Sequence, residues 1–296
     1  MHGQLLFKKA FIPPPIEVGV FCQNYDKKEK KKIGQKILLV LCTMVFAVST
    51  SKLISLWIQY KQASDDFNKL RNEIIVDPSA DEEPEPEKGP KLPDYKKLTE
   101  QNPDLIGWIY LPNENSYPVM HTPDRPQYYL RRNFEKEYSI AGCIFLADEN
   151  QTTDNHQLLY GHHMKDKSMF GGLENYMQDE DYFKEHREIR FDSLDNVRNY
   201  RVFAAFKTSI YGESDGFNIY KNVKDLNEEE YNMFVAEVKE HSIYKVDETP
   251  GYGTPLLTLS TCSYHRNDGA GREVVVCYLE KEFDKNENPI KRTLST

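Results

Sequence analysis

The stretch that decides the fold is Leu257-Thr-Leu-Ser-Thr-Cys-Ser-Tyr-His-Arg-Asn-Asp-Gly-Ala-Gly-Arg272. Its first six residues alternate between two faces, which predicts a strand with one apolar and one polar side. Cys262 ends the polar side. The turn residues Asn267, Asp268 and Gly269 follow, and the apolar residues 273–279 predict a second strand. The stretch therefore predicts an antiparallel ribbon folded about Asp268 and Gly269.

Folding this ribbon places Arg272 beside Cys262, because opposed side chains in an antiparallel pair lie roughly 5 Å apart. A thiol attacks acyl groups as the thiolate, which a nearby cation favours. The arginine fork can also hold a carbonyl oxygen as it gains charge. Such chemistry needs an acid or base, and the natural candidate is a histidine. Two adjacent histidines, His162 and His163, follow the strand-like Leu158-Leu-Tyr-Gly161.

Several motifs together resemble the class B sortases, the cysteine transpeptidases of Gram-positive bacteria. They are T-L-S-T-C with an arginine ten residues later, Y-G-H-H-M upstream, N-P-D-L-I-G-W-I at 102–109, Y-P-V-M at 117–120, Y-Y-L at 128–130 and A-G-C-I-F-L at 141–146. The resemblance covers roughly residues 94–283. It implies a mostly β fold, a sortase-type eight-stranded barrel with peripheral helices, and a long helix between the sixth and seventh strands.

Within this resemblance, Cys262 is expected to be the nucleophile, with a buried structural cysteine as the alternative. The sortase pattern places the catalytic imidazole directly after the glycine, which selects His162 over His163 and over His265 on the connecting loop. Arg272 is expected to bind the substrate carbonyl and the oxyanion, with a solvated strand-end arginine as the alternative. Substrate contacts are expected from three more residues, namely Ser260, Thr261 and Tyr244.

Charge and cysteine content exclude other classes. Residues 1–36 hold eight lysines against three acids, a net charge of +5, so the remainder of a chain of charge −9 carries −9 − 5 = −14. This balance argues against nucleic-acid binding by the main domain. The five cysteines show neither metal-ligand spacing nor a C-x-x-C motif, and no calcium-loop pattern is present. We therefore expect no metal and no cofactor, and a fold that does not rely on disulfides.

Six lysines between positions 27 and 36 precede the apolar residues 37–58, interrupted by Lys52. A run of about 20 residues can cross a bilayer, and its positive flank predicts a cytoplasmic N-terminus and an extracellular remainder. A cleaved signal peptide is the alternative, but no small-x-small cleavage site follows. The predicted division is a basic cytoplasmic tail at 1–36, a single-pass anchor at 37–58, an extracellular stalk with an acidic Pro-rich linker at 59–93, and the catalytic domain at 94–296.

Residues 1–26 show no clear periodicity, and the prolines at 13–15 argue against a helix there; a partner-binding Pro motif is the alternative. In the catalytic domain, short strands are predicted near 107–111, 117–120, 142–146, 156–160, 188–193 and 198–211. A short helix is predicted around 169–177 and another at 95–101. Asn227 and Glu230 form a capping-box pattern ahead of a helical face.

The expected function is cleavage of a C-terminal sorting motif of secreted proteins, of the N-P-x-T-x or x-P-x-T-G type, through a thioacyl intermediate. The expected acceptor is an amine of a peptidoglycan precursor or cross-bridge. Three alternatives remain open: a pilus polymerase that uses a pilin lysine, a catalytically silent membrane-anchored peptide-binding module, and a hydrolytic cysteine peptidase.

Overall fold

The computed structural model describes residues 18–74, 88–112, 115–221, 226–263 and 265–292. The Pro motif at 13–15 and most of the acidic linker lie outside these ranges. The chain divides by contacts into two units, Met1–Ile58 and Gln59–Thr296. The first helix, α1 (Val18–Glu73), contributes to both.

In the first unit, α1 begins at Val18, within the segment for which the sequence predicted no helix. Lysine and glutamate are good helix formers, which allows the helix to extend ahead of the apolar run. By length and composition, α1 contains a stretch that is apolar enough to cross a membrane, and its large apolar side chains between positions 37 and 58 are exposed.

In the second unit, the end of α1 is part of the folded body. Three apolar residues of the segment predicted as a stalk, Ala63, Phe67 and Leu70, lie in the main hydrophobic core. The Phe67 ring packs edge-on against Tyr117 with centroids 5.0 Å apart. Arg71 donates from Nε to the Ser116 carbonyl at 3.0 Å. This end of the helix is therefore anchored by both packing and a hydrogen bond.

Eight strands form the body of the second unit. They are β1 (Leu105–Tyr110), β2 (Ser116–Met120), β3 (Ile144–Leu146), β4 (His156–Tyr160), β5 (Glu188–Ser193), β6 (Asn196–Ser209), β7 (Leu256–Cys262) and β8 (Gly271–Asp284). The helices are α2 (Lys96–Gln101), α3 (Asn175–Gln178), α4 (Glu180–Glu185) and α5 (Glu228–His241), with 3₁₀ turns at Tyr128–Arg131, Phe170–Glu174 and Ile219–Lys221.

The strands close into a barrel in the order β1-β2-β3-β4-β7-β8-β6-β5. The β2–β3 and β4–β7 pairs are parallel, and the other six are antiparallel. The predicted eight-stranded barrel with peripheral helices is thus confirmed. Because β4 and β7 run in parallel as neighbours, the segments that follow Tyr160 and Cys262 leave the barrel at the same end, which brings the two candidate catalytic regions together.

The predicted alternation along β7 is present, but its polar face is open to solvent only at its last residue, Cys262. Leu257 and Leu259 point into the main core. On the other face, Thr258 and Ser260 are fully buried, because α5 and the Ile219–Lys221 turn cover that side of the sheet. Thr258 Oγ1 lies 2.8 Å from Nε2 of His156, so the buried hydroxyl has a hydrogen-bond partner.

Helix α5 lies between β6 and β7 in the chain, where the resemblance places a long helix. It starts with the predicted capping box: Asn227 accepts from the Glu230 backbone N–H, and Glu230 accepts from the Asn227 N–H, each at 3.0 Å. Its apolar face, which includes Phe234 and Val238, packs with β6 and β8 side chains in a second core. This packing forms the layer that buries the polar face of β7.

Candidate active site

Cys262 and Arg272 lie directly opposite each other at the ends of β7 and β8, as the turn geometry predicts. The Cys262 side chain is exposed. The Arg272 guanidinium donates from Nη1 to the carbonyls of Gly269 at 3.1 Å and Gly271 at 2.7 Å. These bonds hold the guanidinium over its own turn, where its remaining N–H groups can serve a ligand.

His162 follows β4 because Gly161 lets the chain pass close to a buried ring. A Cβ at Gly161 would lie 2.6 Å from Cδ2 of Phe170, which is too close for any side chain. His162 Nε2 lies 2.6 Å from the Leu130 carbonyl. A carbonyl only accepts, so Nε2 carries a proton and donates it, which leaves Nδ1 as the ring nitrogen for proton transfer. Burial lowers the pKa of His162.

One cleft of about 290 Å³ contains the sulfur, the imidazole and the guanidinium together. Its lining combines these groups with apolar, hydroxyl and acidic side chains: Gln127, Leu130, Phe145, Asp148, Glu149, Tyr160, Gly161, His162, Ile210, Ser260, Thr261, Cys262 and Arg272. The cleft opens at the surface. The three candidate catalytic side chains therefore meet in one solvent-accessible place.

Two of the three predicted substrate-contact residues reach this cleft. Ser260 lines it, and its hydroxyl lies 2.9 Å from the hydroxyl of Tyr220. Thr261 also lines it, although its side chain lies on the leucine face of β7. The Thr261 hydroxyl is buried and has no hydrogen-bond partner among the described residues.

Tyr244 is placed elsewhere. Its ring packs against Phe183 with centroids 5.5 Å apart, beside the main core, and it is not among the described residues that line the cleft. The predicted contact between Tyr244 and the peptide therefore stays a prediction. His265, the weaker histidine candidate, is likewise outside the cleft lining and lies 2.9 Å from the Ser263 hydroxyl.

His163 takes a different path from His162. Its Nδ1 lies 2.9 Å from the Cys262 carbonyl and 3.4 Å from Oε2 of Glu273. It therefore contacts the backbone of Cys262 and is absent from the described lining of the cleft. Of the two adjacent histidines, His162 thus lines the cleft and His163 contacts the backbone of Cys262.

No local sequence pattern pointed to several residues that shape the site. Leu130, which holds His162, and Tyr220, which holds Ser260, are 32 and 40 positions away from those partners. The acidic residues Asp148 and Glu149 appear in the lining only because the β3–β4 connection folds over it. Among the described residues, no group of three or more His, Cys, Asp or Glu side chains is placed to hold a metal ion.

A thiol, an imidazole and a guanidinium that share one open cleft define a cysteine enzyme of acyl transfer. Comparison with known proteins identifies the family. Residues 114–280 match the Sortase domain family. Because this match covers more than half of the chain, the chain belongs to the sortase family, and its relatives place it in class B, the cysteine transpeptidases.

Each of the relatives aligns with this chain over more than two thirds of its own length. Sortase B of Staphylococcus aureus is 29% identical over 249 residues, which cover 83% of this chain and 95% of that protein. Sortase B of Listeria monocytogenes is 30% identical over 190 residues, 62% of this chain and 72% of the relative. The S. aureus sortase B–substrate complex superimposes with a TM-score of 0.62 and 29% identity, covering 75% of this chain and 98% of that one.

A second solved structure gives the same result. Sortase B from Bacillus anthracis in complex with AAEK1 has a TM-score of 0.60 and 31% identity, and the match covers 75% of this chain and 98% of that one. The recognition of a class B sortase from the motifs is therefore confirmed, as is the expectation of a cysteine transpeptidase.

Proposed function

We propose that this chain is a membrane-anchored transpeptidase that joins secreted proteins to an amine of the cell wall, with Cys262, His162 and Arg272 as its catalytic residues. The observation that carries the proposal is that these three side chains line one cleft open to solvent. The proposed substrate is a sorting motif of the N-P-x-T-x or x-P-x-T-G type near the C-terminus of a secreted protein.

In the first step, the Cys262 thiolate attacks the threonine carbonyl of the motif. A C–S bond forms, the carbonyl electrons move to oxygen, and the Arg272 fork stabilises the oxyanion. The C–N bond then breaks, and the departing amine takes a proton from the imidazolium of His162. The products are a thioacyl enzyme and the released C-terminal peptide.

In the second step, an acceptor amine attacks the thioester and His162 takes up its proton. The C–S bond breaks, an amide forms, and the thiolate returns. Asp148 and Glu149 give one wall of the cleft negative charge, which attracts a protonated amine. The amine releases one proton to solvent before its lone pair attacks, and His162 takes up the second. This negative charge supports an amine acceptor, from peptidoglycan or from a pilin lysine, over water.

The proposed topology places the N-terminus in the cytoplasm and residues 37–58 in the membrane. The packed end of α1, the acidic linker and the catalytic domain from residue 94 then lie outside the cell. The apolar part of α1 supports an anchor, and the lysines ahead of it support the orientation. Both substrates would be met at the outer membrane surface, where such an anchor holds the enzyme.

Mass spectrometry of the full chain with a panel of N-P-x-T-x and x-P-x-T-G peptides tests this proposal. We expect a thioacyl adduct in the wild type, no adduct in Cys262→Ala, and an unchanged adduct in Cys42→Ala, the control at an exposed cysteine of α1. An adduct that persists in Cys262→Ala contradicts the proposal.

Product analysis separates the remaining alternatives. Peptidoglycan-type amines and lysine-bearing pilin peptides are supplied to the thioacyl enzyme in parallel reactions. Preferred transfer to the wall amine supports wall anchoring, whereas preferred transfer to lysine indicates a pilus polymerase. Hydrolysis alone with every amine indicates a peptidase, and binding without an adduct indicates a silent module.

A further inference from the structure

The second histidine of the pair has a buried carboxylate beside it. Glu273 lies on β8 next to Arg272, but alternation along the strand turns it to the opposite face of the β7–β8 ribbon, and it is 1% exposed. Its Oε1 accepts from the Ser263 hydroxyl at 3.1 Å and lies 3.5 Å from Nζ of Lys207. A carboxylate at such depth requires hydrogen bonds and positive charge around it.

The second carboxylate oxygen of Glu273 depends on His163. Among the described residues, Oε2 has no hydrogen-bond donor, and its charged neighbour is His163 Nδ1 at 3.4 Å. The single hydrogen on Nδ1 is committed to the Cys262 carbonyl at 2.9 Å. The contact between His163 and Glu273 is therefore an ion pair that depends on the charge of the ring.

We propose that His163 and Glu273 are a positioning pair that fixes the backbone of Cys262 from behind, while His162 exchanges protons in the cleft. The inference rests on the proposed role of Cys262 as nucleophile. His163 holds the carbonyl at the end of β7 and Glu273 holds the ring. The pair thereby ties the end of β4 to the ribbon that carries both Cys262 and Arg272.

The surroundings of the ring favour its charged form. Glu273 from β8 lies on one side, and on the other Glu174, from the Phe170–Glu174 turn, lies 4.0 Å from Nε2. Lys207 pairs with Glu273, and Lys167 pairs with Glu174. Each lysine offsets part of the negative charge that its carboxylate presents to the ring. The Glu273 contact, followed by the Cys262 carbonyl and Glu174, raises the pKa of His163 against the opposing effect of burial.

The pH dependence follows from this direction. A histidine whose pKa is raised on folding contributes its stabilisation fully below its unfolded pKa of about 6.5, and loses it as pH rises through the folded value. Above that value the neutral ring still donates from Nδ1 to Cys262, but Glu273 loses the compensating charge. The positioning pair of His163 and Glu273 therefore weakens as pH rises above the folded pKa of His163.

The test compares His163→Ala, His163→Asn and Glu273→Gln in the full chain, with His241→Asn as the control. His241 forms a comparable contact, 3.1 Å from Oδ2 of Asp215, and is not among the described residues that line the cleft. The asparagine amide nitrogen approximates the position of Nδ1, so His163→Asn keeps a donor without the charge. Circular dichroism verifies that each variant is folded.

We expect kcat for thioacylation, measured with the fastest peptide of the panel, to fall roughly three- to tenfold in His163→Ala with KM little changed. His163→Asn should recover most of this loss at neutral pH and should lack the alkaline decline. NMR titration of Glu273→Gln should show a lower pKa for His163 than in the wild type, and His241→Asn should match the wild type throughout.

Two results would overturn the positioning role: wild-type kcat in His163→Ala across the pH range, or a loss as large as that of a His162 variant with no recovery in His163→Asn. Hydrogen exchange keeps the test independent of the catalytic assignment. The Ser263 amide, which donates to the Gly271 carbonyl at 2.9 Å, should lose protection in His163→Ala even if Cys262 proves not to be the nucleophile. Unchanged protection of the Ser263 amide contradicts the proposed positioning pair.

Discussion

The two histidines that follow Gly161 are neighbours in the chain but occupy opposite environments. His162 enters the cleft, donates to the Leu130 carbonyl, and has its pKa lowered by burial. His163 passes behind β7, donates to the Cys262 carbonyl, and has its pKa raised by Glu273. The same contrast recurs on β8, where Arg272 lines the cleft and Glu273 is buried behind it.

This comparison separates chemistry from support. The cleft side holds the side chains that a substrate can reach, namely Cys262, His162 and Arg272. None of these three forms an ion pair in the described contacts. The back side holds a compensated ion pair that a substrate does not reach. Residue type alone does not distinguish two histidines; the distinction comes from which partners each ring meets.

The largest expected effect is in His162→Ala. Removal of a general acid and base costs typically 10²–10⁴-fold, so we expect kcat/KM for transfer to fall by about that factor, against roughly three- to tenfold for His163→Ala. Steady-state kinetics with the same peptide and amine measures both. If the two alanine variants lose activity equally, the division of roles between the histidines is wrong.

Some of this division was accessible from sequence and some was not. The period-two pattern and the turn residues are local, so they correctly predicted that Cys262 and Arg272 lie opposite each other. The strands were likewise predicted from local patterns along the chain. By contrast, the Leu130 carbonyl that holds His162 comes from a 3₁₀ turn 32 positions away, which no local pattern reports.

Tyr244 shows more clearly what a local sequence pattern cannot predict. Its place in the loop after α5 suggested a peptide contact, but no local pattern showed that its apolar surface packs against Phe183. Glu273 illustrates the converse, because an acidic residue at the start of an apolar strand normally indicates solvent exposure. Only the positions of Ser263, Lys207 and His163 explain its burial.

The next effect concerns the cleft side of β8. Arg272→Lys keeps the charge but removes the planar fork, which is what matches a developing oxyanion. We expect kcat to fall about 10²-fold, the lower end for loss of an oxyanion donor. Rapid-quench measurement of thioacyl formation isolates this step. Arg266→Lys is the control, since Arg266 pairs with Asp268 on the surface of the same turn; near-wild-type activity in Arg272→Lys would remove Arg272 from the proposed chemistry.

The smallest effect is on stability, and the two histidines should shift it in opposite pH ranges. Because the pKa of folded His162 is lowered, the native state is penalised as pH falls below about 6.5, where the unfolded chain takes up a proton more readily. Because that of His163 is raised, its contribution is present at low pH and is lost as pH rises through the folded value. His162→Asn should therefore reduce the loss of stability on acidification, whereas His163→Asn should destabilise most at low pH.

Urea unfolding at pH 5.5 and pH 8, followed through the fluorescence of the buried Trp108, measures these differences. The sign is more informative than the size, because a purely structural loss would lower stability by similar amounts at both pH values. Opposite pH slopes for the two variants would show that adjacent residues carry opposite electrostatic roles. If the free energy of unfolding changed with pH in the same direction in both variants, the pKa values of the two rings would be shifted in the same direction. The proposed electrostatic contrast between the cleft and the back of the ribbon would then be wrong.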